Sequence, residues 1–189
     1  MSGSKGVVLY GPPAAGKDTV TAVLSTGNRQ YVQFTRLKVG SGKAEGYRMG
    51  TPADLEKLEA AGDVVYRNER YGNVYVVDRP GLVDAFATGV PIVHLGQVAG
   101  VQELLIRYPA DWLTVLLWCP RSVTEQRSHG RGDSDTRKRL TVWEETESDL
   151  VAHSDFRFDL TLRTDLMQPS QVAELIHQAL TRRVEGREA

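Results

Sequence analysis

Tyr10–Val20 reads YGPPAAGKDTV, and this stretch decides the fold. Gly11 is followed by four residues and then by Gly16-Lys17, the spacing of a phosphate-binding loop. The apolar run Val7-Val8-Leu9-Tyr10 before it reads as a short buried strand. After it, the pattern from Lys17 to Leu24 turns helical. The loop Gly11, Pro12, Pro13, Ala14, Ala15, Gly16 and Lys17 is therefore a candidate nucleotide site. Its small residues let backbone N–H groups turn onto phosphate oxygens at the positive end of the following helix. Lys17 is then placed for the β- and γ-phosphates of ATP, neutralising charge as the terminal phosphoryl group leaves.

One position departs from the pattern. A Ser or Thr hydroxyl normally follows the lysine and holds Mg²⁺, and here the residue is Asp18. A carboxylate could take the metal directly or through water, because Mg²⁺ accepts oxygen ligands and keeps several waters. Thr19 offers a hydroxyl one helical step away. Alternatively, Asp18 only favours the helix N-terminus through the dipole. Asp18 and Thr19 are the candidate metal groups.

Outward from the loop, Leu113–Trp118 is continuously apolar, as a strand covered on both faces requires. Ile92–Leu95 and Phe158–Leu162 read as further strands. Helical patterns run over Gly81–Ala87, Val98–Arg107, Thr136–Val151 and Pro169–Arg182; in the third, Leu140, Trp143, Glu147 and Leu150 share a face. Strand alternating with helix predicts an α/β fold with a doubly wound parallel sheet. Residues 31–77 break the rhythm with short β-like pieces and one helix near Thr51–Ala60. They read as an insertion that carries the acceptor site, on a core of about 1–30 and 78–189. With 189 residues the chain suits a single domain.

Composition narrows the function. A net charge of -1 argues against a general nucleic-acid binder. Cys119 is the only cysteine, so no intrachain disulfide can form and a reducing, cytoplasmic setting is expected. Four scattered His residues and one Cys show no zinc-ligand spacing. No apolar run reaches membrane-spanning length, and the opening residues lack a signal-peptide core. A monomer or homodimer without membrane or nucleic-acid partners is expected. Asp78 closes the apolar run Val74–Val77 and could hold metal-bound water, but Pro80 just after it favours a helix cap. His94, within an apolar strand, reads as a core residue, and Cys119 as a small buried hydrophobe.

Between Arg121 and Arg139 six Arg or Lys (Arg121, Arg127, Arg131, Arg137, Lys138, Arg139) outnumber three acids. Phosphoryl transfer needs positive charge along the transfer path more than covalent help. Taken with GPPAAGKDT, FTR at Phe34–Arg36, EGYRM around Tyr47, YGNVY at Tyr71–Tyr75, CPRS at Cys119–Ser122, GRG at Gly130–Gly132 and Arg139-Leu140, the chain resembles the guanylate kinase family over about Val7–Leu180. The resemblance implies a P-loop kinase with a core, an acceptor-binding insertion and a mobile lid at about 127–139. It places Arg131 against adenine and makes Arg127, Arg137 and Arg139 candidates to clamp the transferring phosphates.

The acceptor side departs from that family. Arg36 is kept, but Val39 stands at the second family arginine, with Lys38 nearby. Tyr66 stands at an acidic position, Val74–Val77 replace a Tyr-Gly-Ser/Thr piece, and another family acid falls near Gly96 or Gln97. Guanine presents N–H donors that call for carboxylates, and a buried polar edge left unpaired costs about 1–3 kcal/mol per group. Arg36, Lys38, Tyr47, Tyr66 and Gln97 remain as candidate acceptor-binding residues, with Arg48 and Tyr71 beside them. The GKD loop is also similar to that of the kinase acting on ribose 1,5-bisphosphate. The expected activity is ATP- and Mg²⁺-dependent phosphoryl transfer to a phosphorylated small molecule, a nucleoside monophosphate other than GMP or a phosphosugar. The alternative is a non-catalytic guanylate kinase-like binding module.

Overall fold

The computed structural model describes residues 4–185 apart from Lys43, Tyr71 and 131–134. In chain order the first elements are β1 (Lys5–Tyr10), α1 (Lys17–Gly27), β2 (Tyr31–Gln33), β3 (Arg36–Val39) and β4 (Tyr47–Gly50). There follow α2 (Pro52–Ala61), β5 (Val64–Arg70), β6 (Asn73–Asp78), α3 (Arg79–Thr88), β7 (Val90–Leu95) and α4 (Val98–Arg107). The last are β8 (Asp111–Trp118), α5 (Arg121–Gly130), α6 (Thr136–Ala152), β9 (Leu160–Arg163) and α7 (Pro169–Glu185).

Strands β2-β7-β1-β8-β9 form one sheet, and every neighbouring pair in it is parallel. Period-two alternation in β1 explains its uninterrupted apolar run. Val7 and Leu9 join one core cluster with Val20 and Leu24 of α1 and Ile176 of α7, while Val8 and Tyr10 join another with Leu82 of α3 and Val101 of α4. Helices thus cover both faces. The chain leaves β1 toward β2 and β7 on one side and later crosses to β8 on the other, so the carboxyl end of β1 is the switch point where a ligand crevice opens.

A second sheet, β4-β3-β6-β5, pairs β3 with β4 in parallel and β6 antiparallel to both β3 and β5. Two details correct the sequence reading. Tyr31–Gln33, assigned to the insertion, pairs with β7 and belongs to the main sheet, its Tyr31 ring buried in the core. On α6 the buried face continues from Leu140 and Trp143 to Thr146, while Glu147 points to solvent. A threonine can enter that face because its hydroxyl bonds back to the Val142 carbonyl at 2.7 Å.

Asp78 caps α3, accepting from the Gly81 amide at 2.8 Å, and it is almost fully buried. Its other oxygen accepts from the Arg48 guanidinium, whose Nε also donates to the Thr35 carbonyl at 2.9 Å. These bonds join β4 to the root of α3. Asp78 is thereby engaged as a cap, and Arg48 is a strut of the second sheet. Cys119 is buried at the end of β8, as its apolar setting suggests.

Candidate active site

The phosphate loop runs from the end of β1 into α1. Gly11 has φ +152°, and a Cβ there would fall 2.1 Å from the Leu117 carbonyl oxygen, so nothing larger fits. Gly16, at φ +89°, stands at the N-cap of α1. Ala14 takes the left-handed conformation at φ +58°, which costs a non-glycine residue about 1–3 kcal/mol. Two side chains one turn apart on α5 hold this shape. Thr124 donates to the Pro13 carbonyl at 3.1 Å, and Arg127 donates to the Ala14 carbonyl at 2.9 Å. Carbonyls anchored on α5 leave the opposite side of the loop to its N–H groups, as an anion cradle requires.

Arg127 therefore has a different place from the one the family resemblance implies. Its guanidinium also donates to Thr164 Oγ1 at 3.2 Å and to the Thr164 carbonyl at 2.6 Å. It braces the loop and is spent on protein acceptors. Arg139 does reach the cradle, which it lines with residues 13–19, while its Nε donates to Asp135 Oδ1 at 2.9 Å. Arg137 is exposed on α6 away from the cradle. Arg131 and Tyr71 lie outside the described residues.

Lys17 folds back along the loop, its Nζ donating to the carbonyls of Gly11 at 2.6 Å and Pro12 at 2.9 Å. Burial lowers its pKa to about 8, Arg36 pushes the same way, and Asp18 opposes them. Asp18 and Thr19 open to different sides of the loop. Thr19 borders a cavity of about 360 Å³ with Arg127, Thr164 and Gln168, whereas Asp18 faces Arg36, Tyr47 and His94. Both also line the cradle. Among the described residues no cluster of three His, Cys, Asp or Glu could cage a metal. A carboxylate and a hydroxyl beside a phosphate cradle nevertheless fit Mg²⁺, which takes one or two protein ligands plus phosphate and water.

Facing the loop across a cleft of about 230 Å³ is the second sheet. Its alternation sends Tyr66, Asn68 and Arg70 of β5 to the cleft, while Arg67 and Glu69 pair with each other on the far side at 2.6 Å. Tyr75, Arg36 and Tyr47 come from the other three strands. The Arg36 guanidinium lies 5.8 Å from the Tyr47 ring centre and 5.2 Å from that of Tyr75, rather than against Glu69. Lys38 is on the same strand face but is buried beside these two rings, its Nζ 5.5 and 5.9 Å from their centres. The structure does not bring Lys38 to the cleft wall.

From the core side the cleft is closed by Lys17, His94 and Gln97. The Tyr66 hydroxyl donates to Gln97 Oε1, and burial raises the Tyr66 pKa. Arg70 is tied to Glu145 of α6 at 2.5 Å, a link between the second sheet and the helical layer. No carboxylate stands among the described cleft-lining residues.

Two features escape sequence reasoning. Asn68 has a buried Oδ1 without a hydrogen-bond partner among the described residues, and only the β5–β6 register shows that it faces the cleft. His94 is the second. Instead of lying wholly in the core, it lines the cleft from the end of β7, with Nε2 2.8 Å from Thr21 Oγ1 and Nδ1 3.4 Å from Asp18 Oδ1. One clue was available: a histidine at the carboxyl end of a strand next to the loop strand lies beside the ligand crevice.

A parallel sheet with this loop at its switch point, a lysine shared by cradle and cleft, and a second sheet opposite define the class of P-loop kinases. Within that class, the model of the family described as "Chloramphenicol phosphotransferase-like protein" matches residues 57–181, and the chain belongs to this family. It is also 25% identical over 169 residues to a guanylate kinase of Carboxydothermus hydrogenoformans, covering 85% of this chain and 80% of that one. The crystal structure of guanylate kinase from Anaplasma phagocytophilum shares the fold, with a TM-score of 0.64 at 17% identity, over 97% of this chain and 87% of that one.

Proposed function

We propose that the protein transfers the terminal phosphoryl group of Mg²⁺-ATP to a small molecule that already carries a phosphate. The observation that carries this reading is the placement of Lys17 and Arg36, a donor-side and an acceptor-side cation, on one cleft whose described lining holds no carboxylate, with Asp18 in the adjoining space beside Arg36. The loop amides and Lys17 hold the donor phosphates, and Lys17 follows the charge that shifts to the leaving oxygen. Arg139 adds positive charge above the cradle. Asp18 and Thr19 would hold the Mg²⁺, which would neutralise negative charge on the phosphates during transfer. Arg36 takes the acceptor's phosphate, with Tyr47 and Tyr75 fixing its guanidinium.

The remainder of the acceptor meets Tyr66, Gln97 and Asn68, a neutral hydrogen-bonding set. It suits sugar hydroxyls or a pyrimidine edge better than the donor-rich edge of guanine. The two relatives' names, one for chloramphenicol and one for guanylate, point to different acceptors, so the cleft has to decide between them. In this reading the second sheet is an acceptor-binding insertion, the segment that follows the Arg127 brace, up to Arg139, acts as the lid, and the protein works in the cytoplasm as a monomer or homodimer.

The test is an ATP-consumption screen over nucleoside monophosphates, deoxynucleotides and sugar phosphates, with chloramphenicol as an unphosphorylated comparison. A phosphorylated acceptor other than GMP is expected to give the highest kcat/KM. A maximum for GMP would overturn the acceptor reading, and a maximum for chloramphenicol would overturn the need for a phosphate.

A further inference from the structure

A carboxylate at position 18 is a hazard to the loop that carries it. Asp18 is the second residue of α1, where the free amides and the dipole of a helix N-terminus attract negative charge. Lys17 beside it adds a full positive charge. Left to itself, the Asp18 side chain would curl over the N-terminus of α1 and occupy the anion site meant for a polyphosphate. Its own charge would then compete with every incoming phosphate.

The structure gives Asp18 another partner. His94 Nδ1 lies 3.4 Å from Asp18 Oδ1, and the side chains are 17% and 88% exposed respectively. The ring is thus the buried member of the pair and the carboxylate the exposed one. Thr21, buried one turn further along α1, holds the other ring nitrogen at 2.8 Å. A single N–H on the ring satisfies both contacts. A carboxylate only accepts, so that N–H is on Nδ1 and points to Asp18, and the Thr21 hydroxyl donates to Nε2. One helix therefore supplies both the residue that is held and the residue that sets the tautomer holding it.

We propose that His94 is a positioning residue: it tethers Asp18 at the acceptor-side rim of the phosphate cradle and keeps the carboxylate off the loop amides that take phosphate. This tether is what allows an aspartate to stand where the loop pattern calls for a hydroxyl. The inference rests on the proposed reading of the loop as the donor site. It needs no bound metal, because the competition is between a carboxylate and a phosphate for the same amides.

The experiment measures binding of a fluorescent ATP analogue in EDTA, so that neither metal nor turnover enters. The proteins are the unaltered chain, His94→Phe, His94→Asn, Asp18→Ser and the double variant Asp18→Ser/His94→Phe. His94→Phe is expected to weaken binding about three- to fivefold, the upper range of a single exposed charge contact. In the Asp18→Ser background the same change should move the Kd less than about twofold, because no carboxylate remains to collapse. His94→Asn places an amide N–H near the position of Nδ1 and should keep the affinity within about twofold of the unaltered protein. Equal losses in both backgrounds would overturn the tether and leave the donor-site reading standing. If His94→Phe does not fold, the asparagine variant decides: retained affinity supports the tether, and a tenfold loss by a folded protein overturns it. Failure of the unaltered chain to bind the analogue would instead sink the donor-site reading, and this proposal with it.

Discussion

The phosphate loop and the second sheet face one another across a single cleft, yet they are specified in opposite ways. The loop is contiguous. Gly11 to Thr19 carry in order the turn, the amides, the lysine and the candidate metal groups. Its geometry follows from local backbone chemistry, since Gly11 and Gly16 adopt conformations that side chains rarely allow. The sheet face is assembled. Arg36, Tyr47, Tyr66, Asn68 and Tyr75 come from four strands, and only strand register and alternation bring them together. A contiguous device can be read from spacing, and an assembled one needs the pairing. The same contrast implies that donor and acceptor functions can be damaged separately.

The sharpest break falls on the donor side. Lys17→Ala is expected to cut turnover by at least about 10³-fold while the melting temperature holds, because the charge acts most strongly as the phosphoryl group moves. The fold tolerates the change: Lys17 makes its bonds to loop carbonyls, and its desolvation, which lowers its pKa to about 8, is a cost that alanine removes. Near-normal turnover by a folded variant would end the assignment of the loop.

The matching break on the acceptor side is Arg36→Ala. Here kcat/KM for the acceptor should fall about 10²-fold, with the Kd for ATP unchanged within about twofold. Lys38→Met offers the control that separates the two cations of β3. Lys38 is buried beside the Tyr47 and Tyr75 rings, so its loss should show in thermal stability before it shows in acceptor KM. Steady-state kinetics beside melting curves decides this. A larger acceptor effect from Lys38 than from Arg36 would reverse their roles.

These two variants also mark how far the sequence was legible. The alternation of strand and helix showed the α/β core, and the helix at Val98–Arg107 lies where its apolar periodicity puts it. The strand ends moved by a few residues, as for β8, which begins at Asp111 rather than Leu113. Tyr31–Gln33 was misplaced because three residues carry too little periodicity to choose a sheet, and their parallel partner β7 lies nearly sixty residues away. Lys38 and Arg36 look equivalent in the sequence, since period two puts both on one face. Both lie beside the Tyr47 and Tyr75 rings, and only the burial of Lys38, against the opening of Arg36 onto the cleft, separates them. Arg127 was a candidate phosphate clamp because an arginine in a basic segment has no visible partner until the fold brings it against Ala14 and Thr164.

That reassignment of Arg127 gives a test that sharpens the comparison. Arg127→Met keeps the length of the side chain and removes its three hydrogen bonds to Ala14 and Thr164. The left-handed Ala14 then loses a brace, and the amides lose their preset direction. The Kd for ATP should rise about ten- to hundredfold, from one or two hydrogen bonds' worth of lost preorganisation, with acceptor KM little changed. A phosphate-clamping arginine behaves differently: its loss lowers kcat and leaves ground-state ATP affinity nearly intact. A kcat-only defect would return Arg127 to the clamp role.

The smallest expected effect lies in the donor site's response to pH. Because burial lowers the Lys17 pKa to about 8, the free protein carries a charged Lys17 below that value and a mostly neutral one above it. A bound polyphosphate favours the charged form, so nucleotide binding above pH 8 takes up a proton. Affinity for ATP should be nearly flat from pH 6.5 to 7.5 and fall about tenfold between pH 7 and pH 9, the consequence of one group titrating at 8 in the free protein only. Calorimetry at pH 8.5 in two buffers of different ionisation heat should register the proton uptake directly. In Lys17→Ala both the slope and the uptake should disappear, although binding is weaker throughout. Acceptor binding at Arg36 should show no such dependence, since a guanidinium stays charged across this range. An ATP affinity that does not change up to pH 9, with no proton taken up, would show that the lysine stays charged in the empty loop and that its contacts with the Gly11 and Pro12 carbonyls outweigh the cost of burial.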